Sequence, residues 1–328
     1  MAAAAFDILA IGDALVDVIA TCEPAFLTAH GLPKGSMQLV SPAEADRLYA
    51  AMGVAREMSG GSAANSMAGI AAMGGRAAFI GQVAADQFGE VFAHDMTAQG
   101  VHFATAPLTG GPPTGRCLIL VTADGERTMN TAPGASHELA VSALDPELIA
   151  SAAILYLEGY LWGPAKPRAA MEAAIDIAHA AGREVAFTVS ESVVIAGRRQ
   201  GFAELIERGG VDLLFANEDE ALQLGGLSDL DAAIAELAPR IPTLVITRGG
   251  AGASAITVGK RIDVPAAPVA KVVDTTGAGD LFAAGFLAAR ARGAPVERCL
   301  QVGAIAAAEI IGHFGARPEA DLKELIAL

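Results

Sequence analysis

The chain is 328 residues long, 53% hydrophobic and 18% charged, enough to bury a large core as one big α/β domain or two smaller ones. Its formal charge of −15 disfavours nucleic-acid and anionic-membrane partners, because a polyphosphate surface would be repelled at long range. Cys22, Cys117 and Cys299 are widely spaced and the six histidines scattered, so neither a disulfide framework nor a Cys- or His-ligated metal is suggested, and the cysteines read as buried small hydrophobes.

Residues 1 to 20 lack a basic start and are interrupted by Asp7, Asp13 and Asp17, which argues against a secretory signal. No apolar run is long enough to span a bilayer, and a cytoplasmic location is expected. Residues 6 to 12 form an apolar run ending in glycine, and residues 13 to 20 alternate into a second. That pattern reads as a strand entering a loop and continuing as strand, with an active-site edge between. Residues 62 to 73 are alanine-rich with helical spacing, then Gly74-Gly75 stops the helix before a strand over 77 to 83. The runs 116–122 and 127–131 flank the turn Ala123-Asp124-Gly125-Glu126, a hairpin signal.

Beyond the hairpin, short apolar strands at 154–157, 185–189, 213–216 and 244–247 alternate with helical stretches around 168–181, 202–207 and 230–237. This alternation predicts βαβ units and a mostly parallel sheet with helices on both faces. Ligands gather at the carboxyl ends of such strands, where Asn217 and Glu220 follow one strand and Thr247-Arg248-Gly249 the next. A single α/β domain over 1–328 is expected, with a small β lid built from 12–42 and 100–132.

Residues 274 to 280 read Asp274-Thr275-Thr276-Gly277-Ala278-Gly279-Asp280, followed by a helical run over 281–290. Small residues at a helix start expose backbone N–H groups where the helix dipole favours a phosphate. Asp280 could take a proton from an incoming hydroxyl while the Gly277 to Gly279 amides stabilise a transferring phosphoryl group. A tight turn capped by Asp280 is the bland alternative. The whole string closely resembles the C-terminal signature of the PfkB, or ribokinase-like, family of carbohydrate and nucleoside kinases. That family's second Asp is the catalytic base, and its Gly-Ala-Gly forms an anion hole. The run Gly60-Gly61-Ser62-Ala63-Ala64-Asn65 looks like the family's N-terminal signature. On the residues alone, its glycines admit a ligand to the backbone, and Asn65 offers a donor and an acceptor to sugar hydroxyls.

The resemblance implies a ribokinase-like fold, ATP and Mg²⁺, and substrate recognition by Asp13, Asp17, Gly60, Gly61, Ser62 and Asn65. Asn217-Glu218-Asp219-Glu220 resembles the family's NxxE motif, which organises Mg²⁺ and phosphate through water; a solvated helix start is the alternative. Thr247, Gly249 and Gly252 fall where the family lines its ATP site. Asp274, Thr276 and Gly315 correspond to a monovalent-cation site, K⁺ in ribokinase-like enzymes, although Glu319 stands where ribokinases often carry a hydroxyl.

An extended segment over 23–40 looks like that of adenosine kinases and their bacterial relatives, where a lid strand with a Gln covers the nucleobase; Met37, Gln38 and Leu39 are its counterparts here. Tyr160 and Trp162 are candidates for a purine-stacking pocket, with core packing as the alternative. Arg127 matches an arginine that adenosine kinases place near the transferring phosphate. The expected activity is transfer of the ATP γ-phosphoryl to the 5′-hydroxyl of a purine nucleoside, adenosine foremost. A sugar kinase, an inosine-guanosine kinase and a non-catalytic nucleoside-binding regulator are the alternatives. The expected partners are a small-molecule nucleoside or sugar and, among assemblies, a homodimer joined through the lid.

Overall fold

A computed structural model describes residues 4–326. In chain order its strands are β1 (Phe6–Ile11), β2 (Leu15–Thr21), β3 (Met37–Leu39), β4 (Arg56–Gly60), β5 (Ala77–Ile80), β6 (Val101–Phe103) and β7 (Gly115–Val121). They continue with β8 (Arg127–Ala132), β9 (Ala152–Glu158), β10 (Glu184–Thr188), β11 (Leu213–Asn217), β12 (Thr243–Thr247), β13 (Ala253–Thr257) and β14 (Lys260–Val264). The large sheet runs β14-β13-β12-β11-β10-β9-β1-β5-β6 and is parallel from β12 to β6, with β13 and β14 antiparallel at one edge. The central strands read as continuous apolar runs because both faces are covered. Successive residues of β1 show it: Ile8 and Ala10 join one hydrophobic cluster, Leu9 and Ile11 the other.

The small sheet has the order β3-β8-β7-β2-β4, with β2 and β7 parallel and hairpin partners β7 and β8 antiparallel. The apolar runs at 6–12 and 13–20 are therefore two strands in two different sheets. The small sheet also takes in β4, which lies outside the 12–42 and 100–132 segments expected to build it, whereas β6, inside the second segment, pairs with β5 at the edge of the large sheet. The chain crosses between the sheets at 12–14 and again at Gly61, where β4 gives way to the helix Ser62–Ala72. Both crossings lie beside the carboxyl ends of β1 and β9, so topology alone brings Asp13, Asp17, Gly60 and Gly61 to the strand ends where α/β folds bind ligands.

Sequence patterning missed the hairpin β13–β14. Its two-residue turn is Val258-Gly259, not the Asn-Gly or Asp-Gly that signals a hairpin. Both residues nonetheless have positive φ, 49° and 73°, as a type I′ turn requires. Val258 is 98% exposed, so nothing it packs against offsets the left-handed strain of a β-branched residue. Val258→Asn is expected to stabilise the fold by about 1 kcal/mol, seen calorimetrically as a Tm rise of about 2 °C. An unchanged or lower Tm would refute strain at this turn.

Candidate active site

The helix Ala278–Ala291 starts from Gly277, whose φ of 77° is left-handed and suits a residue without Cβ. Asp280 lies in its first turn, beside Gly279 and Asp280 N–H groups that the helix's own ladder cannot reach. The Ala278 N–H, by contrast, donates to Thr275 O at 3.2 Å. The Asp280 carboxylate is held from the Ser62–Ala72 helix: Ser62 Oγ donates to Oδ1 at 2.6 Å and Asn65 Nδ2 to Oδ2 at 2.9 Å. Ser62 and Asn65, expected on the substrate, are thus seen holding the candidate base. Burial pushes the Asp280 carboxyl above its usual range, while those two hydrogen bonds and the Arg317 guanidinium pull it back.

Asp17, on β2, faces the same space. Burial pushes its carboxyl up to about 6, opposed by Arg317 and Arg127 and reinforced by Asp280. Its carboxylate lies so close to Gly60 that a Cβ there would sit 2.3 Å from Oδ1, and Gly61, at φ 96°, would place a Cβ 2.2 Å from Asp13 O. The Gly60-Gly61 pair is therefore dictated by the approach of the two aspartates' segments. Asp13 is buried, its Oδ1 accepting from Ser136 Oγ at 2.6 Å.

Glu158, at the end of β9, is fully buried and was missed as a site residue. One of its oxygens accepts the Asp13 N–H at 2.5 Å and the other the Ala63 N–H at 2.7 Å, so it ties both sheet crossings together. Burial first, then the Asp13 charge, push its carboxyl well above the usual range. The available signal was an acid terminating an apolar strand. Trp162, by contrast, does not belong to a base pocket: it is 1% exposed and packs among Phe187, Phe202 and the Arg168 guanidinium. Tyr160 is half-buried, its hydroxyl 3.4 Å from Glu191 Oε2. Cys117 and Cys299 are buried as expected, but Cys22 is only half-buried.

Asn217 and Glu220 form a capping box at the start of the helix Glu218–Gly225. Asn217 N and Nδ2 each donate to Glu220 at 2.9 Å, and the Glu220 N–H returns a bond to Asn217 Oδ1 at 2.8 Å. Glu218 and Asp219 are exposed and Glu220 buried. At the end of β12, Thr247 is half-buried, Gly249 exposed and Gly252 buried. Gln38 lies on β3 opposite Asn130 of β8, donating to its Oδ1 at 2.7 Å.

Arg127 of β8 lies against the loop before Gly277. Its Nη2 is 2.5 Å from Asp274 Oδ2, with the two side chains 8% and 6% exposed. That oxygen also accepts the Gly315 N–H at 2.9 Å, and Oδ1 accepts from Thr276 N and Oγ1 at 3.1 and 2.7 Å. The Asp274 carboxylate is thus satisfied by protein donors and neutralised by a guanidinium, an arrangement that does not fit the monovalent cation expected at Asp274, Thr276 and Gly315.

A model of the pfkB family carbohydrate kinases matches residues 37–322. The chain belongs to this family. The PfkB kinase is 46% identical to the solved adenosine kinase of Sinorhizobium meliloti, with a TM-score of 0.91 over 97% of this chain and 98% of that one. It is 43% identical to a probable sugar kinase from Rhizobium etli, with a TM-score of 0.92 over 98% and 97% of the two chains. It is also 30% identical to the fructokinase of Klebsiella pneumoniae, over 77% of this chain and 84% of that one. Its fold is ribokinase-like and its reaction that of an ATP-dependent kinase. Among the described residues no helix is long and apolar enough to cross a membrane.

Two outcomes are expected of this PfkB kinase. With Arg127 already neutralising Asp274, replacing K⁺ by tetramethylammonium should leave ADP release unchanged; a loss of turnover would show that a free cation displaces the guanidinium. A carboxyl raised on folding from 3.8 to about 6 contributes stability that is full below its ordinary value and lost as pH rises through 6. Asp17→Asn should therefore raise Tm more at pH 8 than at pH 5 in thermal melts, and equal gains at both would refute the shift.

Proposed function

We propose that this kinase transfers the γ-phosphoryl group of ATP to the 5′-hydroxyl of a purine nucleoside, with adenosine the favoured acceptor. One observation carries the chemistry: a carboxylate in the first turn of a helix, oriented by donors on a second helix, beside first-turn amides free to meet an anion. Asp280 takes the acceptor's proton; its raised affinity for protons brings it nearer neutrality, where a general base works best. The Gly277 to Gly279 turn holds the transferring phosphoryl group, with the free Gly279 and Asp280 N–H groups stabilising charge that develops there. Asp17 and the Gly60-Gly61 backbone orient the acceptor, and the strand end at Thr247, Gly249 and Gly252 lines the ATP site.

Mg²⁺ fits through water rather than through a cage. Among the described residues no group of three acidic, His or Cys side chains is arranged to hold a metal ion, and Mg²⁺ commonly keeps its waters beside one carboxylate and the substrate phosphates. Glu220, fixed by Asn217, would hold those waters; when bound, the ion would neutralise phosphate charge.

The nucleoside is supported by β3, which lays Met37 and Gln38 along β8 of the small sheet, and by the 46% identity to an adenosine kinase. The small sheet serves as a lid that excludes water during transfer. A free sugar is the second reading, supported by the likeness to a probable sugar kinase and to a fructokinase. ADP release from Mg-ATP against adenosine, guanosine, inosine, ribose and fructose tests both. The expected result is strongest turnover on adenosine; turnover on a free sugar alone would move the assignment to sugars, and turnover on none would favour a binding protein. Asp280→Asn is expected to lower kcat by about 10²–10⁴ while calorimetry still detects acceptor binding.

A further inference from the structure

The segment Gly315-Ala316-Arg317 crosses the site from one motif to the other. Gly315 N–H donates to Asp274 at 2.9 Å. Ala316 packs on Gly277 so closely that a Cβ there would lie 2.9 Å from the Ala316 Cβ. Arg317 then reaches the corner where β4 becomes the Ser62–Ala72 helix: Nη1 donates to Ala64 O at 3.0 Å, and Nη2 to Ser59 O at 2.9 Å and Ser59 Oγ at 3.0 Å. Its Nε is sealed from solvent and has no partner.

All three of these acceptors are neutral. The charges facing the guanidinium are Asp17 from β2, Asp280 from its helix and Asp95 from the helix Gln87–Ala98. Asp95 Oδ2 accepts the Ser59 N–H at 2.9 Å, and Arg127 is the second cation acting on Asp17. A buried guanidinium is costly without opposite charge nearby. Here the opposite charge comes from carboxylates whose oxygens Arg317 does not occupy, which leaves Asp280 to be oriented by Ser62 and Asn65 and Asp95 to accept the Ser59 N–H.

We propose that Arg317 is a positioning residue for phosphoryl transfer. It fixes the Gly60-Gly61 corner through the Ser59 and Ala64 carbonyls and supplies the positive field in which Asp17 and Asp280 carry charge side by side. The inference rests on Asp280 acting as the base. Arg317 lowers the proton affinity of both Asp17 and Asp280, and without it both carboxyls rise further.

The test is the pH dependence of kcat and the acceptor KM for wild type, Arg317→Gln, Arg317→Lys and Asp280→Asn. It uses ADP release with adenosine, or with whichever of the five acceptors above turns over best. Arg317→Gln should move the acid limb of the kcat profile upward by about one pH unit and raise KM. Arg317→Lys keeps the charge but not the fork, so it should leave the limb in place and raise KM alone. An unmoved limb in Arg317→Gln, or equal losses in both variants without a shift, would overturn the inference. Should the Gln variant not fold, the Lys variant decides: a shifted limb or an unchanged KM refutes the role. Wild-type turnover by Asp280→Asn would sink the base assignment itself, and Arg317 would then stand or fall on KM alone.

Discussion

The helices Ser62–Ala72 and Ala278–Ala291 meet through small side chains, and the site depends on how closely they do so. At Gly69 a Cβ would lie 2.7 Å from Leu281 and 3.0 Å from the Ala284 Cβ, so a larger residue would force the helices apart. That spacing lets Ser62 and Asn65 reach Asp280 with bonds of 2.6 and 2.9 Å. Short polar side chains bridge such a gap in well-defined rotamers and lose little entropy in doing so. The small-residue composition of both helices, which reads in isolation as mere helix propensity, therefore fixes the orientation of the carboxylate.

Around this pair the protein buries several charges in one small volume. Glu158 and Asp13 meet at the end of the parallel sheet, Asp17 faces Asp280, and Arg317 and Arg127 enter from two other segments. Such a cluster costs stability unless each member finds donors or opposite charge. Glu158 finds backbone N–H groups and Asp274 a guanidinium. Asp17 is left with its proton affinity raised, because burial outweighs the two guanidinium charges near it. The chain's net charge of −15 makes local cations the more necessary, since a triphosphate approaching this protein meets repulsion until it reaches them.

The small sheet is joined to the large one by chain crossings that themselves carry site residues, so its placement and the site geometry are one problem. β3 lies along β8 and leaves Leu39 66% exposed at the sheet's edge, while β8 begins with Arg127, anchored on Asp274. The small sheet is thus tied to the loop that precedes the Gly277 to Gly279 turn. A movement of that sheet would be felt at Asp274, Gly315 and, through Ala316, at Gly277.

Local pattern was enough for the parallel strands β1, β5, β9, β10, β11 and β12, the Ser62–Ala72 helix, the β7–β8 hairpin and the Asp274 to Asp280 turn, because periodicity and glycine placement act within a few residues. It failed at β13–β14, where a valine occupies a left-handed turn position, and at Trp162, whose aromatic face is consumed by Phe187 and Phe202. The sequence by itself determined the fold class and named Asp280, Asp17 and the Gly60-Gly61 pair. Only the tertiary structure decided that Ser62 and Asn65 hold the Asp280 carboxylate, that Glu158 ties the two crossings, and that Arg127 and Arg317, far apart in the chain, come in beside them. The reason is physical. Hydrogen-bond partners 95 to 258 residues apart leave no mark on local spacing, and burial, which raises the proton affinity of Asp13, Asp17, Glu158 and Asp280, belongs to the packed molecule alone.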